Sequence, residues 1–178
     1  MAIIVEGIDN IGKSTFIQKL RNEAFPWPVV HSSKPEKLKV LGDSESLYQM
    51  HYFSTWFNMM SARKSNVIFD RLHLGEWVYA PLYRGYTPTF IPVLPRARLD
   101  TILVLLKAND FSLIVDDGKS IDASNMKKEQ ELFLDAFKKD EICFNKQIIE
   151  IDCDGVRKTV DELYDEFMKV WKQMLQSM

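Results

Sequence analysis

Long apolar runs are missing from this 178-residue sequence: none approaches the ~20 residues that cross a bilayer, so no membrane span is expected. Cysteine is scarce too. Cys143 and Cys153 are the only two, in neither CxxC nor Cys/His metal spacing; they fit a reducing compartment, where both are expected to behave as small buried hydrophobes. A basic run is also lacking, and the formal net charge is −2. That argues against a dedicated nucleic-acid binder, although it leaves room for a local basic site that holds one nucleotide. The first residues, MAIIVEGIDN, carry no basic n-region and no cleavage-like segment, so no signal peptide is expected and a cytoplasmic protein is. With no internal repeat, low-complexity tract or Gly/Ser linker, one domain over residues 1–178 is expected.

What is present is an ordinary globular composition, 46% hydrophobic and 27% charged, in which strand patterns alternate with helix patterns. AIIVE at 2–6 is a continuous apolar run of the kind a central parallel strand needs. Further strands are expected at 28–31, 66–70, 100–106 and 147–152, and helices at 13–24, 45–64, 127–140 and 156–176. A helix is also expected after residue 70, limited by Pro81 and Gly85, and the three-proline stretch 87–98 reads as loop. The alternation predicts an α/β fold: a doubly wound, parallel, five-stranded sheet with helices on both faces.

The strongest local signal is GIDNIGKS, Gly7 through Ser14, which fits G-x-x-x-x-G-K-S. Gly7 and Gly12 allow close backbone approach, and successive N–H groups at the start of the following helix hold phosphate oxygens. Gly7, Asn10, Ile11, Gly12, Lys13, Ser14 and Thr15 are therefore expected to bind ATP, with Lys13 against the β- and γ-phosphates and Ser14 on Mg²⁺. Such a site needs an acid at the end of a neighbouring strand. The strand at 100–106 runs into Lys107, whereas NVIFD ends in Asp70, which becomes the second candidate metal residue; the alternative is an Asp that merely caps the next helix.

EGIDNIGKST at 6–15 followed by FDRLHLGEWVYAPLYRG at 69–85 resembles the thymidylate kinase family, particularly its short virus-encoded members. The resemblance implies the P-loop fold, ATP as donor, Mg²⁺, a deoxynucleoside monophosphate as acceptor and a homodimer; a viral member would work in the host cytoplasm. It implies that Asp9 holds the acceptor's 3′-hydroxyl, that Arg71 grips its phosphate, and that Tyr79 crowds the 2′ position. Phe53 is the match for the ring stacked on the base, with Trp56 beside it; an aromatic stripe at this spacing also describes plain core.

The departures concern charge. Where the family carries an arginine before a proline, this chain has Lys34 before Pro35, and residues 45–62 hold no arginine or lysine to meet a pyrimidine carbonyl. The lid, taken as 114–128, has no arginine either; Lys119 at its tip is the catalytic candidate, Lys127 and Lys128 follow, and Arg84 is a second phosphate contact. Lys34, Lys119 and Arg84 read equally well as surface residues. The three histidines lack metal spacing and are expected to pack or cap. The reaction implied is ATP + dTMP ⇌ ADP + dTDP, with Lys13, Asp70, Arg71 and Lys119 as its catalytic set and a relaxed choice among dTMP, dUMP and 5-substituted dUMP, cytosine faring worse. A kinase of deoxynucleosides or of modified pyrimidines, free or in DNA, and a non-catalytic nucleotide-binding module are the competitors.

Overall fold

The computed structural model describes residues 1–32, 44–61, 66–89, 91, 94, 96–97, 99–115 and 125–177. In chain order the elements are β1 (Ala2–Glu6), α1 (Lys13–Glu23), β2 (Val29–His31), α2 (Ser44–Ser61), β3 (Val67–Asp70), α3 (His73–Tyr79), β4 (Thr101–Lys107), α4 (Met126–Lys139), β5 (Asn145–Glu150), β6 (Asp152–Cys153), β7 (Val156–Arg157) and α5 (Val160–Gln176). β1 to β5 form one parallel sheet in the order β2-β3-β1-β4-β5, as the alternation predicted.

Burial explains the strand compositions. Every residue of β1 and β3 is buried, as are the first six of β4, so these strands are apolar except at their ends, where Glu6, Asp70, Thr101 and Lys107 stand. β2 and β5 lie at the sheet edges and keep exposed positions. The strand order reverses at β1, and in such sheets the binding crevice lies beyond the carboxyl ends of the strands at that point. Register places Val5 opposite Asp70 and Asp70 opposite His31, so β1, β2 and β3 end at one rim.

Helices α1 and α5 pack one face of this sheet through aromatic side chains. Phe16 of α1 meets Phe167 of α5 edge-on at 5.9 Å, and Phe25 meets Trp171 at 4.9 Å. A reciprocal capping box starts α5, with Thr159 accepting from the Glu162 amide and Glu162 accepting in return. The helix expected from residue 156 therefore begins at Val160. The preceding residues form a β6–β7 hairpin whose turn, Asp154 (φ 51°) and Gly155 (φ 75°), uses an Asp-Gly pair.

Two further expectations shift. Pro81 does not stop the helix after β3: α3 passes into a π-helical stretch, Ala80–Arg84, which ends at the left-handed Gly85. Within a widened turn a residue with no amide hydrogen leaves no ladder bond broken. Cys143 is buried as expected, but Cys153 is exposed on the hairpin. Among the histidines, His73 is a packing residue: it is wholly buried, bonds Asp140 at 2.9 Å and meets the Phe57 ring edge-on. No helix among the described residues is long and apolar enough to cross a membrane.

Candidate active site

The turn between β1 and α1 wraps around a space rather than filling it. Gly7 has φ 142°, and a Cβ there would sit 2.9 Å from the Leu106 carbonyl oxygen, so β4 leaves room for glycine alone. Gly12 (φ 105°) sits at the N-cap of α1, which carries no side-chain cap and no acid in its first turn. The positive end of the helix is thus left for an outside anion. Ser14 and Thr15 are exposed there and, with Asn10 and Gly12, line a cavity of about 320 Å³. Ile11 contributes its main chain only, because its side chain is buried.

Lys13 is folded back into the loop, donating to the Gly7 carbonyl at 3.0 Å and the Ile8 carbonyl at 2.6 Å. Burial, reinforced by the nearby Arg71 guanidinium, pushes its pKa down to about 7. An entering polyphosphate supplies the negative charge that would restore the proton.

Asp70 closes the same cavity from β3. Its Oδ2 bonds His31 Nδ1 at 3.1 Å, while its Oδ1 is buried with no partner among the described residues. A hard, unsatisfied carboxylate oxygen facing the cavity that holds the Ser14 hydroxyl is the donor chemistry that Mg²⁺ prefers. These two residues fit the metal assigned to them.

A second cavity of about 240 Å³ adjoins the first, and Asp9, His31 and Arg71 line both. Arg71 is set in place by unusual backbone: it has φ 69°, and its amide donates to the Val5 carbonyl at 2.9 Å. Its guanidinium is ion-paired with Asp9 and lies 5.1 Å from the centre of the Tyr79 ring. Tyr79 lines the cavity, and its buried hydroxyl lacks a partner among the described residues. Desolvation, with Asp9 and Glu129 nearby, holds that phenol well above its ordinary pKa, so it stays neutral.

Other expected residues divide. Phe53 reaches the second cavity while almost fully buried. Trp56 does not line it; half-buried, its ring packs edge-on against Phe69 of β3 at 5.2 Å, on the flank of the core. Arg84 does line it, but Glu76 holds its guanidinium at 2.5 Å, so it is no free phosphate ligand. Lys34, Lys119 and most of the lid lie outside the described residues, and Lys127 and Lys128 are exposed at the start of α4.

Sequence reasoning missed several participants. Glu6 is wholly buried and accepts the Leu72 amide at 2.8 Å and the Leu74 amide at 3.1 Å, tying β1 to the turn that carries Arg71. Burial raises its pKa. An acid ending an otherwise apolar strand was the signal. His31, expected to pack or cap, lines both cavities. Gln49 and Glu76 complete the second cavity, and Arg157 reaches the Ile11 carbonyl from the distant hairpin.

No protein-family model matches the sequence, and neither does any curated protein. Solved structures do match. The YorR protein of Bacillus subtilis, in complex with phosphorylated GDP, superposes with a TM-score of 0.70 at 21% identity, covering 99% of this chain and 98% of that one. Deoxyadenosine kinase of M. mycoides, with dCMP and dCDP bound, gives 0.62 at 16% identity over 98% of this chain and all of its own. Thymidylate kinase of Candida albicans gives 0.60 at 14%, covering 97% and 91%. The fold is that of the P-loop kinases.

Proposed function

We propose that this chain is a nucleotide kinase that transfers the γ-phosphoryl group of ATP to the phosphate of a deoxypyrimidine monophosphate, dTMP foremost. The observation that carries this reading is the Asp9–Arg71 pair, shared by two adjoining cavities, one walled by the P-loop and one by aromatic and polar side chains. A donor cradle alone would suit a switch; a second cavity against the loop's own lip suits transfer between two bound molecules.

The chemistry asked of the protein is positioning and charge neutralisation. The bond from the γ-phosphorus to the bridging oxygen breaks as an acceptor oxygen bonds that phosphorus in line. Lys13 leaves the Gly7 and Ile8 carbonyls to meet the β- and γ-phosphates. Arg71 turns its fork from Asp9 to the acceptor phosphate, and Asp9, released, accepts from the 3′-hydroxyl. Tyr79 fills the space a 2′-hydroxyl would need. Mg²⁺, held through Ser14 and Asp70, would neutralise charge on the donor phosphates. Lys119 is proposed as the lid cation.

One observation favours a second reading, a kinase of free deoxynucleosides. The described cations of the acceptor cavity, Arg71 and Arg84, are each paired with an acid, Asp9 and Glu76. A dianionic phosphate must displace one of these acids or draw on Lys34, whereas a nucleoside needs neither. ADP formation with Mg²⁺ATP and each deoxynucleotide, each deoxynucleoside and short DNA decides between them. Turnover of thymidine but not dTMP would establish the second reading, and turnover with no acceptor would remove both.

A further inference from the structure

We infer that His31 is a positioning residue of the metal site: it holds one oxygen of Asp70 and so presents the other, with its charge intact, to the donor cavity. The inference rests on that cavity taking Mg²⁺ with a nucleotide, as proposed above. His31 ends β2 and Asp70 ends β3, and register sets the two opposite each other on neighbouring parallel strands. The backbone is fixed around both. The Ser32 amide donates to the Asp70 carbonyl at 3.1 Å, and the Arg71 amide donates to the Val5 carbonyl at 2.9 Å. What stays free is the rotation of the Asp70 carboxylate itself. His31 Nδ1 stops it by bonding Oδ2 at 3.1 Å, and among the described residues no other hydrogen bond holds either oxygen. An ionised carboxylate only accepts, so Nδ1 is the atom that carries the hydrogen.

The kind of donor matters as much as the bond. Two cations stand near Asp70: Lys13, whose ammonium feels its charge, and Arg71, the next residue. Each is held elsewhere, Lys13 on the Gly7 and Ile8 carbonyls and Arg71 on Asp9. Either one, paired with Asp70, would cancel the charge that a hard divalent cation requires. An imidazole can donate to a carboxylate without bearing a charge, which a lysine or arginine cannot do. A partner placed one bond behind a metal ligand is worth roughly 10–100-fold in metal affinity. The His31 side chain is 60% exposed, so the low end of that range is expected. The same ring lines the acceptor cavity, which makes direct contact with the acceptor the competing role.

The test measures Mn²⁺ affinity by electron paramagnetic resonance, with the protein saturated in ADP. His31→Leu removes the donor, His31→Asn keeps an uncharged donor near the place of Nδ1, and His31→Arg keeps a donor but adds charge. His31→Leu is expected to weaken Mn²⁺ about tenfold, His31→Arg to weaken it at least as much, and His31→Asn to stay within about threefold of the wild type. In an Asp70→Asn background His31→Leu should add nothing further, because the side chain it positions has changed. In turnover, the Mg²⁺ needed for half the maximal rate should rise with the Mn²⁺ dissociation constant, while KM for the acceptor holds. A histidine that only joined the two strands would lower Tm when replaced by leucine and leave Mn²⁺ affinity alone. Unchanged Mn²⁺ affinity in His31→Leu, wild-type affinity in His31→Arg, or no Mn²⁺ bound by the wild type with ADP overturns the inference. So does a raised acceptor KM at unaltered metal affinity, which would make His31 an acceptor ligand. The Mn²⁺ measurement needs neither acceptor nor turnover, so a protein that transfers no phosphoryl group would defeat the proposed function while this inference is still decided.

Discussion

The two cavities are built of different material. The donor side is largely main chain, drawn from one short stretch between β1 and the first turn of α1, with Lys13 as its principal side chain. The acceptor side is made of side chains gathered from the P-loop lip, α2, the β3–α3 turn and the π-helical stretch behind it. In the proposed reaction the main-chain cradle would bind what every nucleoside triphosphate shares, while the side-chain pocket would carry the choice of acceptor. Substitutions on the donor side should therefore damage every reaction equally, and those on the acceptor side should damage reactions selectively.

The largest effect is expected from Lys13→Met. Removing the cation that the P-loop itself supplies should lower kcat by roughly 10²–10³-fold or more with any acceptor. The fold should survive, because Lys13 is a buried, desolvated ammonium whose pKa is pushed down to about 7. Between about 7 and its unfolded value of 10.5 the unfolded chain binds a proton that the folded chain does not, so wild-type stability should rise with pH across that window. Denaturation across pH should show this rise in the wild type and its loss in Lys13→Met. A mutant whose loss of activity depends on the acceptor would break the contrast between the two sides.

Arg71→Lys comes next and is selective. It keeps the charge but loses the fork, the stacking on Tyr79 and part of the hold on Asp9. Charge-assisted pairs are worth about 1.5–3 kcal/mol, so kcat/KM for a monophosphate should drop by roughly 10–150-fold with KM for ATP little changed. Equal losses with a nucleoside and a nucleotide acceptor would mean that Arg71 does not meet the acceptor phosphate.

This contrast also explains what could be read in the sequence. The cradle was legible because its glycines, lysine and hydroxyls are consecutive and each answers a local backbone demand; Gly7 faces the Leu106 carbonyl with no room for a Cβ. The sheet was legible because β1, β3 and β4 are continuous apolar runs broken only at their ends. Acceptor residues were half legible: Asp9, Arg71 and Tyr79 came with motifs, but Gln49 was hidden in an aromatic helix whose face towards the cavity is fixed only by packing. Trp56 went wrong for the same reason, since only the fold shows that its ring turns to Phe69. The hairpin before α5 was written in its Asp-Gly pair, and helical periodicity downstream masked it.

Tyr79 should yield a smaller, sharply defined effect. Shortening it to Ala opens the wall beside Arg71, and filling such a space is worth ~1–3 kcal/mol in discrimination. The preference for dUMP over UMP should fall by about tenfold or somewhat more, with kcat for dUMP reduced less. An unaltered dUMP/UMP ratio would make Tyr79 a core residue that happens to touch the cavity.

The smallest effect tests whether the donor cradle is as self-contained as its sequence suggests. Arg157, from the β6–β7 hairpin, donates to the Ile11 carbonyl at 3.1 Å and to the Leu113 carbonyl at 2.7 Å. One guanidinium thus clamps the P-loop to the turn where the chain leaves β4 towards the lid. Both bonds are partly exposed, so each contributes only about 0.5–1.5 kcal/mol. Arg157→Gln should keep at most one of them and loosen the Ile11–Gly12 peptide, next to which α1 presents its first amides. KM for ATP should rise roughly two- to tenfold, while KM for the acceptor and the dUMP/UMP ratio stay put. That pattern would make the cradle a local motif held in shape by a side chain 146 residues away. An unchanged KM for ATP would show that the loop keeps its form unaided, and a change confined to the acceptor would reverse the division of labour between the two cavities.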